Sequence, residues 1–268
     1  MLSNLKDKII LITGASSGFG KDTAQIFAAE DARVVLLARR MDRLQFLADE
    51  INGSGGQAFP IGMDVTDPQS IDQAIKKVFE MFGRIDILFN NAGFGRLDWF
   101  ENLDLEKDVI PQVNVNLLGL MMVTHAVLPI MIAQQSGHII NMSSVAGLIP
   151  APMYSIYAAT KFGVRGFTEA LRREVSRKGI FVSGIYPGPA QTEFGHHVGK
   201  GFKSIKFKAP GWSFMTSEYV ARCVVNLAMH PRRSMVIPWW FKPIRWVEAC
   251  FPSVLDASMD QFFTKKYR

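Results

Sequence analysis

The sequence predicts a doubly wound α/β domain, a parallel sheet with helices on both faces. Two observations carry that prediction. Short apolar runs alternate with helically spaced segments from residue 9 to about residue 190, and the runs are apolar on both faces, as strands covered from two sides must be. Of 268 residues, 48% are hydrophobic and 20% charged, which supplies a large core and excludes a disordered chain. One large domain or two small ones would fit the length; the absence of any linker favours a single domain over 1–268.

The elements follow in order. Ile9–Thr13 is a first strand ending in a glycine-rich turn, and Ala24–Glu30 has helical spacing. Arg33–Ala38 is a second strand of Val and Leu; Arg43–Ile51 is helical, Asn52–Gly56 turns, and Ala58–Val65 is a third strand. Pro68 suits the start of a helix that Gly83 stops after Phe82, and Ile85–Asn90 is a fourth strand. A long helix lies within Glu106–Gln135, Gly137–Ser143 is a fifth strand, and Tyr154–Lys178 is helical. Ile180–Tyr186 is a sixth strand, stopped by Pro187-Gly188-Pro189. Beyond it Gln191–Trp212 is irregular, Ser217–Met229 is a helix with Ser217 as N-cap, and Met235–Ile237 fits a last strand.

Composition excludes several function classes. Cys223 and Cys250 build neither a disulfide framework nor a four-ligand zinc site, and read as buried thiols. His125 in an apolar helix reads as a core histidine, and the adjacent His196 and His197 lack further ligands, so no metal site is expected. No stretch reaches the roughly 18 apolar residues of a spanning helix, and no secretory apolar region precedes the first glycine turn. The default compartment is the cytoplasm.

Charge is informative by position. The chain carries a net +6, yet residues 1–195 hold 18 basic and 20 acidic side chains while residues 196–268 hold 12 basic and 4 acidic. That C-terminal quarter is either a solvated basic face or a surface for an anionic partner: an acyl carrier, a CoA phosphate or a membrane, which would make the protein membrane-associated. No nucleic-acid reader motif accompanies it, so nucleic acid is not an expected partner.

The turn after the first strand reads Thr13-Gly14-Ala15-Ser16-Ser17-Gly18-Phe19-Gly20. Glycines there let the backbone approach a pyrophosphate, and the following helix offers N–H groups and a positive dipole end. The second strand ends in Ala38-Arg39-Arg40, where an acidic residue would select NAD. A guanidinium takes a 2′-phosphate in bidentate fashion, so NADP(H) is the expected cofactor, with Arg39 as the partner of the phosphate. Asp64 and Val65 lie where the adenine edge would sit, and Asn90-Asn91-Ala92-Gly93 ends the fourth strand, where ligands of open α/β sheets gather.

Tyr157 and Lys161 stand four residues apart on one helical face. A phenol is a poor acid–base at neutral pH, and a nearby cation moves its pKa toward the working range. Ser144, thirteen residues before Tyr157 and just past the fifth strand, is placed to hold a carbonyl oxygen.

Together these motifs, with Asn116, Pro187-Gly188 and Thr192, resemble the short-chain dehydrogenase/reductase family over residues 6–240. The resemblance implies a Rossmann-like sheet, with Tyr157 as general acid/base and Lys161 lowering its pKa and binding the nicotinamide ribose. It gives Ser144 the substrate oxygen in preference to the neighbouring Ser143, Asn116 a water-mediated proton relay, Asn90 support of the glycine turn, and Thr192 and Ile185–Gly188 the nicotinamide. It places a substrate lid at 191–215, whose Phe194 and Phe202, with Met153, are candidate substrate contacts, and a C-terminal extension at 238–268. Apolar lid side chains suit a lipid-, steroid- or acyl-like carbonyl or alcohol. The expected assembly is a homo-oligomer, dimer or tetramer. The alternative function is a non-catalytic NADP(H) sensor.

Overall fold

The computed structural model describes residues 4–190 and 215–264. Its seven strands form one parallel sheet in the order β3-β2-β1-β4-β5-β6-β7. They are β1 Ile9–Thr13, β2 Arg33–Ala38, β3 Gln57–Gly62, β4 Ile87–Asn90, β5 Gly137–Met142, β6 Ile180–Pro187 and β7 Ser234–Ile237. Sequence order reverses between β1 and β4, which pair directly with Ile10 opposite Ile87 and Ile12 opposite Phe89. In an open α/β sheet a ligand crevice forms beyond the carboxyl ends of the strands at that reversal.

Strand alternation sorts the core. Ile10 and Ile12 face one side, with Val34 and Leu36, and pack beneath α1 (Gly18–Ala29), α2 (Met41–Gly53) and a later helix, Ser217–Met229. Ile9 and Leu11 face the other side, with Val35 and Leu37, beneath α3 (Pro68–Phe82), α4 (Leu105–Gln134) and α5 (Ser155–Glu174). Both faces are therefore buried, and the strands need no polar face. Punctuation is local: the Asp67 carboxylate caps α3 by accepting from Gln69 N, and Gly83 ends it at φ 68°.

Several boundaries differ from the sequence reading. β3 ends at Gly62, so Asp64 and Val65 lie in the loop beyond the strand. The helix Ser217–Met229, α6, is capped by Thr216, whose hydroxyl accepts from Tyr219 N, while Ser217 is already its first helical residue. α4 is long and apolar enough, by length and composition, to cross a membrane. The sequence showed no uninterrupted apolar run because Asn114, Asn116, Thr124 and His125 break it. One face of α4, with Val123, Val127 and Met131, is buried against the sheet. His125 is exposed and not in the core, because it lies off that face. Cys223 is only half-buried and Cys250 is exposed, so neither is a core thiol.

The C-terminal extension folds back. After a short turn at Trp239–Phe241 come α7 (Ile244–Cys250) and α8 (Pro252–Met259), continued by a widened helical turn at Asp260–Thr264. Leu255 and Met259 pack against Leu148, Ile149, Tyr186 and Val236, and Met259 and Phe263 against Met153. Pro252 separates the two helices and begins the second.

Candidate active site

The site begins at the β1–α1 turn. Gly14 has φ 67° and Gly18 φ 52°, a region that costs glycine nothing. A Cβ on Gly14 would stand 2.8 Å from Ala92 Cα, and one on Gly20 would meet Gly14 O and Asn91 Nδ2. The turn is thus seated directly on the segment after β4. Asn91 Nδ2 donates to Thr13 O at 3.0 Å and Gly14 O at 3.3 Å, and Thr13 Oγ1 accepts from the backbone N of Asn91 and Ala92.

Asn91, not Asn90, supports the glycine turn. Asn90 faces the opposite way, donating at 2.9 Å to both Thr124 Oγ1 and Asn141 Oδ1, and so ties β4 to α4 and β5. Consecutive residues leaving a strand point to opposite faces, and the repeated Asn hid which one does which. Phe19, named with the turn, is a partly buried packing residue on the core beneath α1.

The two arginines after β2 divide the crevice mouth. Arg40 donates through Nε and Nη2 to Ser16 Oγ, at 3.2 and 2.8 Å, and through Nη2 to Ser17 Oγ at 2.9 Å. Arg39 is largely exposed, with Nη1 3.8 Å from Asp64 Oδ2. Partial burial pushes the Asp64 carboxyl up, but two hydrogen bonds from Thr66 and the Arg39 charge outweigh it, leaving the group below its ordinary range. Val65 lies under Gly119 of α4, where a Cβ would come within 2.7 Å of Val65 O.

The polar centre lies past β5. Ser144 heads a tight turn at Val145–Gly147; its hydroxyl accepts from Ala146 N, donates to Pro187 O at 3.4 Å and is hydrogen-bonded to the Tyr157 phenol. Ser143 points inward instead, donating to Lys161 O at 3.0 Å. Lys161 is 4% exposed, its Nζ donates to Met142 O at 3.0 Å, and the ammonium lies 5.6 Å from the centre of the Tyr157 ring. Burial lowers Lys161 to about 8. The expectation that Lys161 draws the phenol toward neutrality is not met in this geometry. Burial raises Tyr157 above its ordinary range, the Ser144 bond opposes that weakly, and nearby Tyr154 adds to it. The phenol is held protonated.

Asn116 sits in a widened turn of α4, Asn114–Gly119, and is fully buried. Its amide pins Phe94, donating to Phe94 O at 2.8 Å and accepting from Phe94 N at 2.9 Å. A Cβ on Gly93 would stand 3.1 Å from Asn116 Oδ1 and 3.5 Å from Lys161 Nζ, so Ala92 and Gly93 lie between the glycine turn and the Tyr157 helix. Pro187 ends β6, and Gly188 N donates to Ile237 O at 2.7 Å. Ala190 bridges to Met215; Thr192, Phe194 and Phe202 lie outside the described residues.

Met153 is buried four residues before Tyr157 at φ 69°, packed against Phe263 with Trp99, Ala151, Tyr154 and Met259 around it. Two residues that the sequence reading passed over matter here: Asn91, and Tyr154, whose ring lies edge-on to Tyr157 at 6.3 Å and which burial pushes up to about 12. The i, i+3 spacing of Tyr154 and Tyr157 was the available signal.

Residues 8–201 match the profile of the short chain dehydrogenases. The chain belongs to that family. This short-chain dehydrogenase is 37% identical over 225 residues to the 3-oxoacyl-[acyl-carrier-protein] reductase FabG of Thermotoga maritima, a match spanning 84% of the chain and 91% of the relative. It is 39% identical over 201 residues to the oxidoreductase UcpA of Escherichia coli, spanning 74% and 75% of the two chains. In structure it resembles a short-chain type dehydrogenase/reductase from Mycobacterium marinum, with TM-score 0.81, 30% identity, and coverage of 90% of this chain and 98% of that one. The family's proteins are oxidoreductases, and a seven-stranded parallel sheet is the frame on which this one carries its site.

Proposed function

We propose that the chain is an NADP(H)-dependent enzyme moving hydride between nicotinamide and the carbonyl or alcohol carbon of an apolar substrate. The observation that carries the reading is the Tyr157 phenol, bonded to the Ser144 hydroxyl with the buried Lys161 ammonium against its ring.

The residues present fit a dinucleotide. Gly14 and Gly20 leave no room for a side chain, α1 has no acidic residue in its first turn to repel phosphate, and Arg40 gathers Ser16 and Ser17. Gly14, Ser16–Gly20 and the α1 N-terminus would hold the pyrophosphate, Arg39 and Arg40 the 2′-phosphate, and Asp64 and Val65 the adenine edge. Asn90, Ala92 and Gly93 would line the floor, Tyr157 and Lys161 the nicotinamide ribose, and Pro187, Gly188 and Thr192 the nicotinamide. When bound, the cofactor supplies hydride to the substrate carbon in reduction or accepts it in oxidation.

The chain's own part is proton chemistry. Ser144 donates to the substrate oxygen and holds it near Tyr157. Tyr157, kept protonated by burial, gives its proton to that oxygen as the carbon gains hydride, so C=O becomes CH–OH. Asn116 supports resupply of the proton through water. Met153 beside the site and the aromatic residues of the lid, Phe194 and Phe202, favour an apolar substrate, and the 3-oxoacyl substrate in the name of the Thermotoga relative supports that class. The same reading extends to a cytoplasmic homo-oligomer, dimer or tetramer, whose basic C-terminal quarter meets an anionic acyl carrier or membrane.

A panel of ketones, aldehydes and secondary alcohols, followed by nicotinamide absorbance, tests the reading together with Tyr157→Phe. Turnover by the wild type and its loss in the variant, with NADPH binding nearly intact, is the expected result. Substantial turnover by the variant removes Tyr157 from the role. Tight NADPH binding with silence across the panel favours a sensor.

A further inference from the structure

The C-terminal extension has two sides of different character. Its inner side is consumed by packing: Leu255 and Met259 on the Leu148–Ile149 turn, and Phe263 on Met153 beside Tyr154. Its outer side leaves Trp239, Trp246 and Phe251 at 68%, 74% and 63% exposed, with Trp240 and Val254 exposed beside them. Five large apolar side chains within sixteen residues, three of them Trp, are far more than scattered surface apolars account for. Core packing does not explain them either, because the core takes the other side.

We propose that this outer side is a docking surface for an anionic lipid bilayer. Three features select that occupant. Indole rings are apolar bodies with a polar N–H and settle at the headgroup level, where one end is dry and the other wet. The charge of the chain suits that partner: Lys242 is exposed in the extension, and the C-terminal quarter of the sequence, residues 196–268, holds 12 basic and 4 acidic side chains. Of those four acidic side chains, Glu248, Asp256 and Asp260 lie in the extension itself. The helices are also short and broken at Pro252, so they suit lying in an interface and cannot span one. Because the inner side touches Met153 four residues before Tyr157, a bilayer on the outer side would adjoin the region where substrate meets the site. The proposal rests on the reading of an apolar substrate for its purpose, but the binding itself does not depend on it.

The test is co-sedimentation of the full chain, without substrate or cofactor, with vesicles of phosphatidylcholine alone or mixed with phosphatidylserine. The wild type is expected to sediment with the anionic vesicles, more weakly at high salt, with a blue shift of tryptophan emission. The double variant Trp246→Ala/Phe251→Ala should lose at least about tenfold in partitioning while keeping its NADPH affinity, since both side chains are exposed. No wild-type binding to anionic vesicles at low salt overturns the proposal, as does equal binding by the variant. A wild-type oligomer that the double variant dissociates, with no vesicle binding, makes the patch a subunit contact instead. Turnover is not read in this experiment, so failure of the catalytic reading would show separately in the substrate panel.

Discussion

Arg40 is hydrogen-bonded to Ser16 across the mouth of the crevice, Nη2 to Oγ at 2.8 Å, joining the end of β2 to the turn after β1. Arg39 points the other way, toward Asp64. The guanidinium best placed above the glycine turn is therefore that of Arg40, with Arg39 flanking it.

This arrangement predicts cofactor preference. Wild-type NADP(H) should bind more tightly than NAD(H), and Arg40→Ala should narrow the gap mainly by weakening NADP(H). Loss of one charge-assisted bond is worth roughly 1.5–3 kcal/mol, about ten- to over a hundredfold. Arg39→Ala should have the smaller effect. Fluorescence titration of both cofactors against each variant measures this, and equal wild-type affinities would sink it.

Asn91 predicts a stability effect separable from chemistry. Asn91→Ala removes two bonds that hold the glycine turn, to Thr13 O and Gly14 O. The expected loss is on the order of 1–3 kcal/mol in urea unfolding, with weaker NADPH binding. Asn90→Ala should leave the turn in place and loosen the β4–β5 contact instead. Identical NADPH affinities in the two variants would contradict the assignment.

Lys161 predicts a pH limit. Burial lowers it to about 8, so its ammonium is lost as pH rises through that value, whereas Tyr157 stays protonated well above it. In the reductive direction kcat/KM should be level below pH 8 and fall above it. A profile flat to pH 9.5 would show that the Lys161 charge is not needed.

His138 predicts acid sensitivity. It is fully buried on β5 with Nε2 2.8 Å from Ser183 Oγ, and burial lowers it to about 4 from the ordinary 6.5. Between those values the unfolded chain binds a proton that the folded chain refuses, so stability is full above pH 6.5 and declines as pH falls toward 4. The decline amounts to about 3 kcal/mol. His138→Gln should flatten that part of the curve in melts at pH 4.5 and 7, and an unchanged slope would assign the acid loss to other groups.

What the sequence by itself determined were features of one dimension. The succession of strands along the chain came from apolar runs separated by helices, because burial on two faces demands continuous apolarity. The glycine turn, the Ser144, Tyr157 and Lys161 spacing and the helix start at Pro68 came from local backbone and side-chain geometry, which neighbours a few residues away already impose. Only the tertiary structure decided the matters of facing. It turned Asn91 rather than Asn90 to the glycine turn, put His125 outside and His138 inside, and set Arg40 over Ser16. It also raised the Tyr157 phenol, because desolvation depends on every element packed around the ring. The C-terminal extension shows the same division: its aromatic residues were visible in the chain, but which of them were consumed against Met153 and which were left exposed depended on the surface they met.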